Sequence, residues 1–260
     1  QRQMCIRDST YRDWQWKYVI LKGIGMEKLE LLYEGKTKNL YKTDSADIGI
    51  LSFTDEITAM GGEKRETIVG KGAVNNKVSN RIFQILSAKG IPTHYVEEFN
   101  ETETAVKRAS TILLKVVVRN YSAGKFAERT GIEEGVKLKM PVLEFAYKNE
   151  KLGEPMINGY YALALDIITQ DEIDKIATYA FKINEILIDY FGSKGIDLID
   201  FKIEFGRYHG EIILIDEISP DTCRLWDKQT HVKLDKDRFK RDLGNVQDAY
   251  QEVFKRLGIM

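Results

Sequence analysis

Residues 198–227 read LIDFKIEFGRYHGEIILIDEISPDTCRLWD, and the way this stretch pairs with itself decides the fold. Taken every second residue, Asp200, Lys202 and Glu204 fall on one side and Phe201, Ile203 and Phe205 on the other, the alternation of a strand with one apolar face. Residues 206–210 are turn-prone, and 212–215 make a second strand ending in Asp216 and Glu217, so a β-hairpin is expected. A turn centred on Gly210 sets Glu204 opposite Asp216 with Cβ atoms roughly 5 Å apart, close enough to share one divalent cation. A centre at Tyr208 separates them by about four residues, on the order of 13 Å. The first register is preferred, because two carboxylates on one strand face repel unless a cation lies between them. Alternating charge is also how the solvated side of an antiparallel sheet reads. The sequel favours a site: the turn at 219–222 delivers Asp221, Arg224 and Asp227 directly behind the acidic strand end.

Outward from the hairpin, residues 111–118 (TILLKVVV) form a β-branched run that opens at Arg119-Asn120 into the small-residue loop 121–125. An arginine there can grip a carboxylate or phosphate bidentately, or merely close the strand. Nearer the start, Glu34-Gly35-Lys36-Thr37-Lys38 lies between the strand-like segments 29–33 and 39–41. Such a hairpin can lay backbone N–H groups and two ammonium groups over a polyphosphate, although alternating lysines also protect an edge strand. Residues 48–53 and 142–148 read as strands, the second ending in Lys148. Helices are expected over 74–89, from the capping box Thr169-Gln170-Asp171-Glu172 through Tyr190, and over about 235–257 with Phe239, Leu243, Val246, Tyr250 and Val253 inward. A strand-rich first half and a second half of strands backed by long helices imply an α+β fold in two unequal lobes, 26–114 and 115–260.

Composition excludes several classes. The 260 residues suit one large or two modest packed units, and acidic and basic residues nearly cancel (40 against 39, net charge −1). No global field is therefore available to draw nucleic acid or anionic lipid, and phosphate recognition must be local. Cys5 and Cys223 are too few for a disulfide framework, and His94, His209 and His231 lack zinc-site spacing, so a reducing cytoplasmic location is expected. Cys223 has no histidine partner nearby in sequence to make it a nucleophile. No apolar run approaches the roughly 20 residues of a membrane span. Residues 1–25 differ in character from the rest and are expected to form a non-native or disordered leader, with Met26 as the natural start.

Several segments together resemble the SAICAR synthetase family: 34–38, Lys71-Gly72-Ala73-Val74-Asn75-Asn76-Lys77, Val118-Arg119-Asn120, 131–135, 200–206, 216–221 and Arg224-Leu225-Trp226-Asp227. The resemblance runs in order from about Leu29 to Gly258. It implies a two-lobe fold related to ATP-grasp enzymes, with a nucleotide-binding lobe 26–114 and a substrate- and Mg-binding lobe 115–260. It also implies ATP with Mg²⁺ and ligation of L-aspartate to the carboxylate of carboxyaminoimidazole ribotide (CAIR) through an acyl phosphate, giving SAICAR, ADP and phosphate in purine biosynthesis. Carried onto matching positions, Glu204 and Asp216 hold Mg²⁺ and, with Lys36, Lys38 and Lys148, contact ATP. Arg119, Asp221 and Arg224 position the ribotide, and Asp200 and Lys202 stand at the reacting centre. A homodimer is expected on the same ground, with neither nucleic acid nor membrane as partner. Lys125, Lys115 and Glu56 depart from the family's usual serine, acid and aspartate. A small-molecule kinase or a non-catalytic nucleotide-binding module would keep many of the same residues.

Overall fold

The computed structural model describes residues 26–259, so the expected leader 1–25 lies outside the described residues. Its strands are β1 (Leu31–Glu34), β2 (Lys38–Lys42), β3 (Ile48–Phe53), β4 (Glu56–Ala59), β5 (Lys64–Thr67), β6 (Tyr95–Glu98), β7 (Glu103–Lys107), β8 (Ser110–Tyr121), β9 (Lys137–Tyr147), β10 (Met156–Ile157), β11 (Ile196–Tyr208), β12 (Glu211–Ile215) and β13 (Cys223–Asp227). The helices are α1 (Lys71–Ala88), α2 (Lys125–Thr130), α3 (Gly159–Ala164), α4 (Gln170–Gly192), α5 (Asp237–Lys240) and α6 (Val246–Leu257). One antiparallel sheet has the order β1-β2-β3-β7-β6, a second runs β10-β9-β8-β11-β12, and β4 with β5 makes a separate hairpin. This is the α+β arrangement expected. The boundary expected between residues 114 and 115 falls inside β8, which belongs wholly to the second sheet.

β11 is the axis of that second sheet. One edge pairs with β8 along most of its length, and the other is shared, β13 taking residues 196–201 and β12 residues 204–208. Its apolar side is fully packed, with Phe201 and Ile203 at 0% exposure. Ile112, Leu114, Val116 and Val118 of β8 lie buried in the same core. α4 covers this face with Ile176, Ala180, Ile183 and Leu187, one turn apart along its apolar stripe. Truncating a side chain such as Phe201 to alanine there costs about 3–5 kcal/mol. α1 packs on β3, β6, β7 and α6, tying the first sheet to the C-terminal helix. Asp55 accepts from the backbone N–H of Gly70 (3.1 Å) and of Gly72 (2.8 Å), meeting donors that the first turn of α1 leaves unpaired.

The charged side of β11 is not a solvated surface, because Asp200 and Glu204 are themselves buried. The hairpin register differs by one from the expected one. His209 (φ 49°) and Gly210 (φ 81°) form a two-residue turn with both residues left-handed, which pairs Tyr208 with Glu211 and Glu204 with Ile215. Asp216 lies one residue past β12, and its own left-handed backbone (φ 70°) breaks the strand alternation that would have sent its carboxylate to the opposite side. The last helix is also not continuous from 235 to 257. Asp242, Gly244 and Asn245 all have positive φ, splitting it into α5 and α6 and leaving Leu243 47% exposed rather than in the core.

Candidate active site

Two clefts flank the charged face of the second sheet. The first, about 340 Å³, lies between the sheets and is lined by Lys38, His94, Lys148, Glu204 and Asp216 among polar groups, with Leu40, Leu51, Val106 and Ile215 as apolar walls. β2 brings Lys38, the end of β9 brings Lys148, and β11 and the β12 terminus bring the acids. Lys38 Nζ lies 2.6 Å from both Asp216 Oδ1 and Glu217 Oε1, and Lys148 Nζ lies 2.5 Å from Glu204 Oε2. Burial works against the charge on Lys38, yet the two facing carboxylates hold its ammonium well above the ordinary lysine range. Burial likewise opposes the Asp216 charge, but Lys38, Lys202 and Lys148 hold its carboxyl well below the usual range. Asp216 is thus ionised, and Glu204, paired with Lys148, lines the same cleft. His94 is driven down to about 3 by burial, so it stands neutral beside them.

The second cleft, about 210 Å³, is lined by Arg119, Asp200, Lys202, Asp221, Arg224, Asp235 and Lys240 among others. Arg119 Nη1 (2.8 Å) and Arg224 Nη1 (2.6 Å) donate to the same oxygen, Asp200 Oδ2. Arg119 Nε also donates to Glu144 (2.5 Å), and Arg224 Nε to Asp237 (2.5 Å). Each guanidinium is therefore fixed from two sides, leaving its remaining N–H groups for an anion. Gly124 makes room for this. Its backbone is left-handed (φ 52°), and a Cβ there would stand 2.6 Å from Arg224 Nη2. Asp221 is held by Lys71 Nζ (2.7 Å), Asn75 Nδ2 (3.0 Å) and the Tyr250 hydroxyl (2.5 Å). Burial opposes its charge, and Lys71 and Lys236 hold it well below the usual carboxylate range.

Lys202 joins the two clefts. It lines the arginine cleft, and its Nζ stands 3.9 Å from Glu204 Oε1 and 4.0 Å from Asp216 Oδ2 of the other. Lys38, Lys148, Glu204 and Asp216 are thus brought together on one side, and Arg119, Asp200, Asp221 and Arg224 on the other. Lys36 does neither. It pairs with Glu150 at 3.0 Å and lines a neighbouring cleft with Glu56 and Arg65. Asp227 also stays apart, bonded to Arg256 and to the turn at 229–230. Cys223 is buried and its thiol is pushed up by that burial, which leaves it unreactive. Lys71, Asn75, Glu144 and Glu217 have no role assigned from sequence, although segment 71–77 carries part of the resemblance and Glu217 is placed at the strand end. A lysine in an asparagine-bearing helix start was the one signal for the first pair, and only the fold shows that its side chain is fully buried against Asp221.

Comparison with known proteins bears on this geometry. A family model for SAICAR synthetase matches residues 31–257. The phosphoribosylaminoimidazole-succinocarboxamide synthase of Lachnoclostridium phytofermentans is 64% identical over 234 residues, which cover 90% of this chain and 100% of that one. Among solved structures, the synthase of the same name from Ehrlichia chaffeensis superposes with a TM-score of 0.87 at 42% identity, over 89% of this chain and 99% of its own. A SAICAR synthetase in complex with ADP superposes with a TM-score of 0.85 at 44% identity, over 88% and 97%.

Proposed function

The chain belongs to the SAICAR synthetase family, and on that premise we propose that it joins L-aspartate to the carboxylate of CAIR at the expense of ATP, giving SAICAR, ADP and phosphate. A carboxylate is a poor acyl donor to an amine. Transfer of the γ-phosphoryl group to it makes an acyl phosphate whose carbonyl carbon the aspartate amine attacks, expelling phosphate. Such a reaction needs a triphosphate and a ribotide carboxylate to meet, each held by its own cations. The observation that carries the reading is the place of Lys202, within 4.0 Å of the acids of one cleft while lining the other. The apolar-walled cleft with Lys38 and Lys148 suits the nucleotide. The paired guanidiniums of Arg119 and Arg224, with Asp221 beside them, suit the ribotide. Asp200, shared by both arginines, sets their spacing, and Lys202 neutralises charge where the phosphoryl group moves.

Glu204 and Asp216 offer a hard, all-oxygen donor set of the kind magnesium takes, and the ammonium groups they hold stand where its charge would lie. These two residues would hold Mg²⁺, which when bound neutralises the phosphates. Lys36, at the tip of the β1–β2 turn, would reach the nucleotide from the open side. None of the described helices is long and apolar enough to cross a membrane. A cytoplasmic location and a homodimer are what we expect from the family resemblance. The test is ADP release from purified protein with ATP, Mg²⁺ and CAIR, with and without L-aspartate. Aspartate-dependent ADP release with formation of SAICAR is expected. ADP release indifferent to aspartate would instead indicate a kinase, and binding of ATP without turnover a nucleotide-binding module.

A further inference from the structure

β13 carries Arg224, and the chain that follows it folds back along the strand before α5 begins. The Leu234 N–H donates to the Leu225 carbonyl (2.7 Å) and Trp226 bridges to Lys233, so residues 233–234 lie as a strap beside β13. The strap ends in Asp235, which is 1% exposed. Its Oδ2 accepts from the backbone N–H of Leu225 (2.8 Å), the neighbour of Arg224, and its Oδ1 from the backbone N–H of Asp237 (2.7 Å). Asp237 in turn takes Arg224 Nε on Oδ2 (2.5 Å) and Lys240 Nζ on Oδ1 (2.8 Å). These bonds close a ring, from the Arg224 backbone through Leu225, Asp235 and Asp237 back to the Arg224 guanidinium.

Such a ring fixes the far end of a long, flexible side chain against its own main chain, removing rotamer freedom before a ligand binds. A carboxylate suits the bridging position because it has two acceptor oxygens and no donor, and both N–H groups that it meets are buried. Burial and the Asp237 charge push its carboxyl up to about 7, while the two N–H groups favour its ionised form. An apolar residue there would leave two buried donors unpaired. Although Asp235 borders the arginine cleft, both of its oxygens are already bonded to the main chain. We propose that Asp235 is a positioning residue for the anion held in the arginine cleft: it touches no substrate and acts through Asp237 to set the Arg224 guanidinium beside that of Arg119. This role rests on the ribotide reading of that cleft given above.

Steady-state kinetics at about pH 8, where Asp235 is ionised, with CAIR and ATP varied in turn, test it. Asp235→Asn keeps the shape of the side chain but replaces one acceptor with a donor that faces an N–H group. KM for CAIR is expected to rise at least ~10-fold, the worth of a hydrogen bond to a charged group, while KM for ATP stays within about two-fold. In an Arg224→Met background the same substitution changes kcat/KM for CAIR by less than about two-fold, because the side chain it acts on is gone. A residue that only stabilises the fold would lower Tm and leave the CAIR KM in place, and one that touched the ribotide would keep its effect without Arg224. A CAIR KM unmoved by Asp235→Asn, a matching rise in the ATP KM, or an undiminished effect in the Arg224→Met background overturns the proposal. Asp237→Asn leaves the Asp235 bonds in place but removes the charge that holds Arg224 Nε, and it is expected to raise the CAIR KM alone. It carries the test, with the same three overturning outcomes, should Asp235→Asn not fold. Unaltered protein that neither binds CAIR in calorimetry nor turns it over removes the reading of the arginine cleft itself, whereas CAIR bound and converted with a KM unmoved in these variants removes only the role of Asp235.

Discussion

The two clefts on either side of Lys202 solve the same problem, holding an anion, with different cations. On the side proposed for the nucleotide the charges are lysines, Lys38 and Lys148, each lying against the carboxylates that would take the metal. An ammonium on a flexible stem is a point charge that can swing from a carboxylate to a phosphate when ligand and metal arrive together. On the side proposed for the ribotide the charges are arginines, and Asp200, Glu144 and Asp237 fix their planes before any ligand is present. A rigid fork loses little freedom on binding and reads the shape of its anion. On the proposed reading, lysines stand where charge must move during turnover, and arginines where a substrate must only be held.

The largest break in this comparison comes at the residue common to both sides. Lys202→Met removes the ammonium between the clefts, and kcat is expected to fall on the order of 10²–10³-fold with smaller changes in either KM, measured as aspartate-dependent ADP release. A comparable rise in KM with kcat intact would mean that Lys202 only binds substrate.

A next, smaller effect separates the fixed cations from the mobile ones. Gly124→Ala forces a Cβ to within 2.6 Å of Arg224 Nη2 and strains a left-handed backbone, so the guanidinium must shift. KM for CAIR is expected to rise about 10–100-fold while KM for ATP stays put, because residues 121–125 do not line the lysine cleft. Arg224→Lys should act in the same direction, since a point charge cannot replace two fixed N–H donors. Equal rises in both KM values would show that the clefts are not independent.

Acid titration sharpens the contrast, because each cleft holds a group whose shift spans mildly acidic pH, and the two shifts are of opposite sign. His94 of the lysine cleft is depressed to about 3 from 6.5 by burial, so below pH 6.5 the unfolded chain takes up a proton that the folded chain refuses, and stability falls with falling pH. Asp235 of the arginine cleft is raised from 3.8 to about 7 by burial and by the Asp237 charge. There the folded chain takes up the proton first, and stability rises as pH falls from 7 towards 3.8. Each slope is at most about 1.4 kcal/mol per pH unit, and between pH 6.5 and 3.8 the two offset one another. Urea unfolding of His94→Gln is expected to show stability increasing as pH falls from 6.5 towards about 5, above the range where Glu172 and the other depressed carboxyls titrate, where the unaltered protein is nearly flat. A declining profile in that variant would sink the assignment of Asp235.

These contrasts were only partly legible in the sequence. Period-two patterning located β11, and its charged side carries the residues singled out, since side-chain alternation follows from backbone geometry alone. The Thr169 capping box and the extent of β3 were equally local, and both stand as read. The hairpin register was missed by one residue because a His-Gly turn with both residues left-handed announces itself less plainly than Asn-Gly. The left-handed Asp216 was invisible for a different reason: it is held by tertiary contacts with Lys38, whose sequence separation gives no local signal. Lys71, buried against Asp221 from a helix 150 residues away, is another contact of that kind. The break between α5 and α6 was signalled by Gly244-Asn245, but the apolar spacing across it was regular enough to mask it.

The smallest effect belongs to a site far from both clefts and serves as their control. The Thr169 side chain accepts from the Glu172 N–H (3.3 Å) while Glu172 Oε2 accepts from the Thr169 N–H (3.0 Å), closing the first turn of α4. Glu172 also pairs with Arg207 of β11, and that bond, against the opposing effect of burial, helps hold its carboxyl down near 2. Thr169→Ala removes one acceptor and is expected to cost about 1 kcal/mol, read as a fall in Tm of roughly 2–4 °C. α4 supports the apolar side of β11, not the side that carries Asp200, Lys202 and Glu204, so the KM values for ATP, CAIR and aspartate should not change. A shifted KM for CAIR or ATP in this variant would mean that the helix sets the positions of the charged face through the sheet, and the two clefts would then have to be read as one mechanically coupled unit.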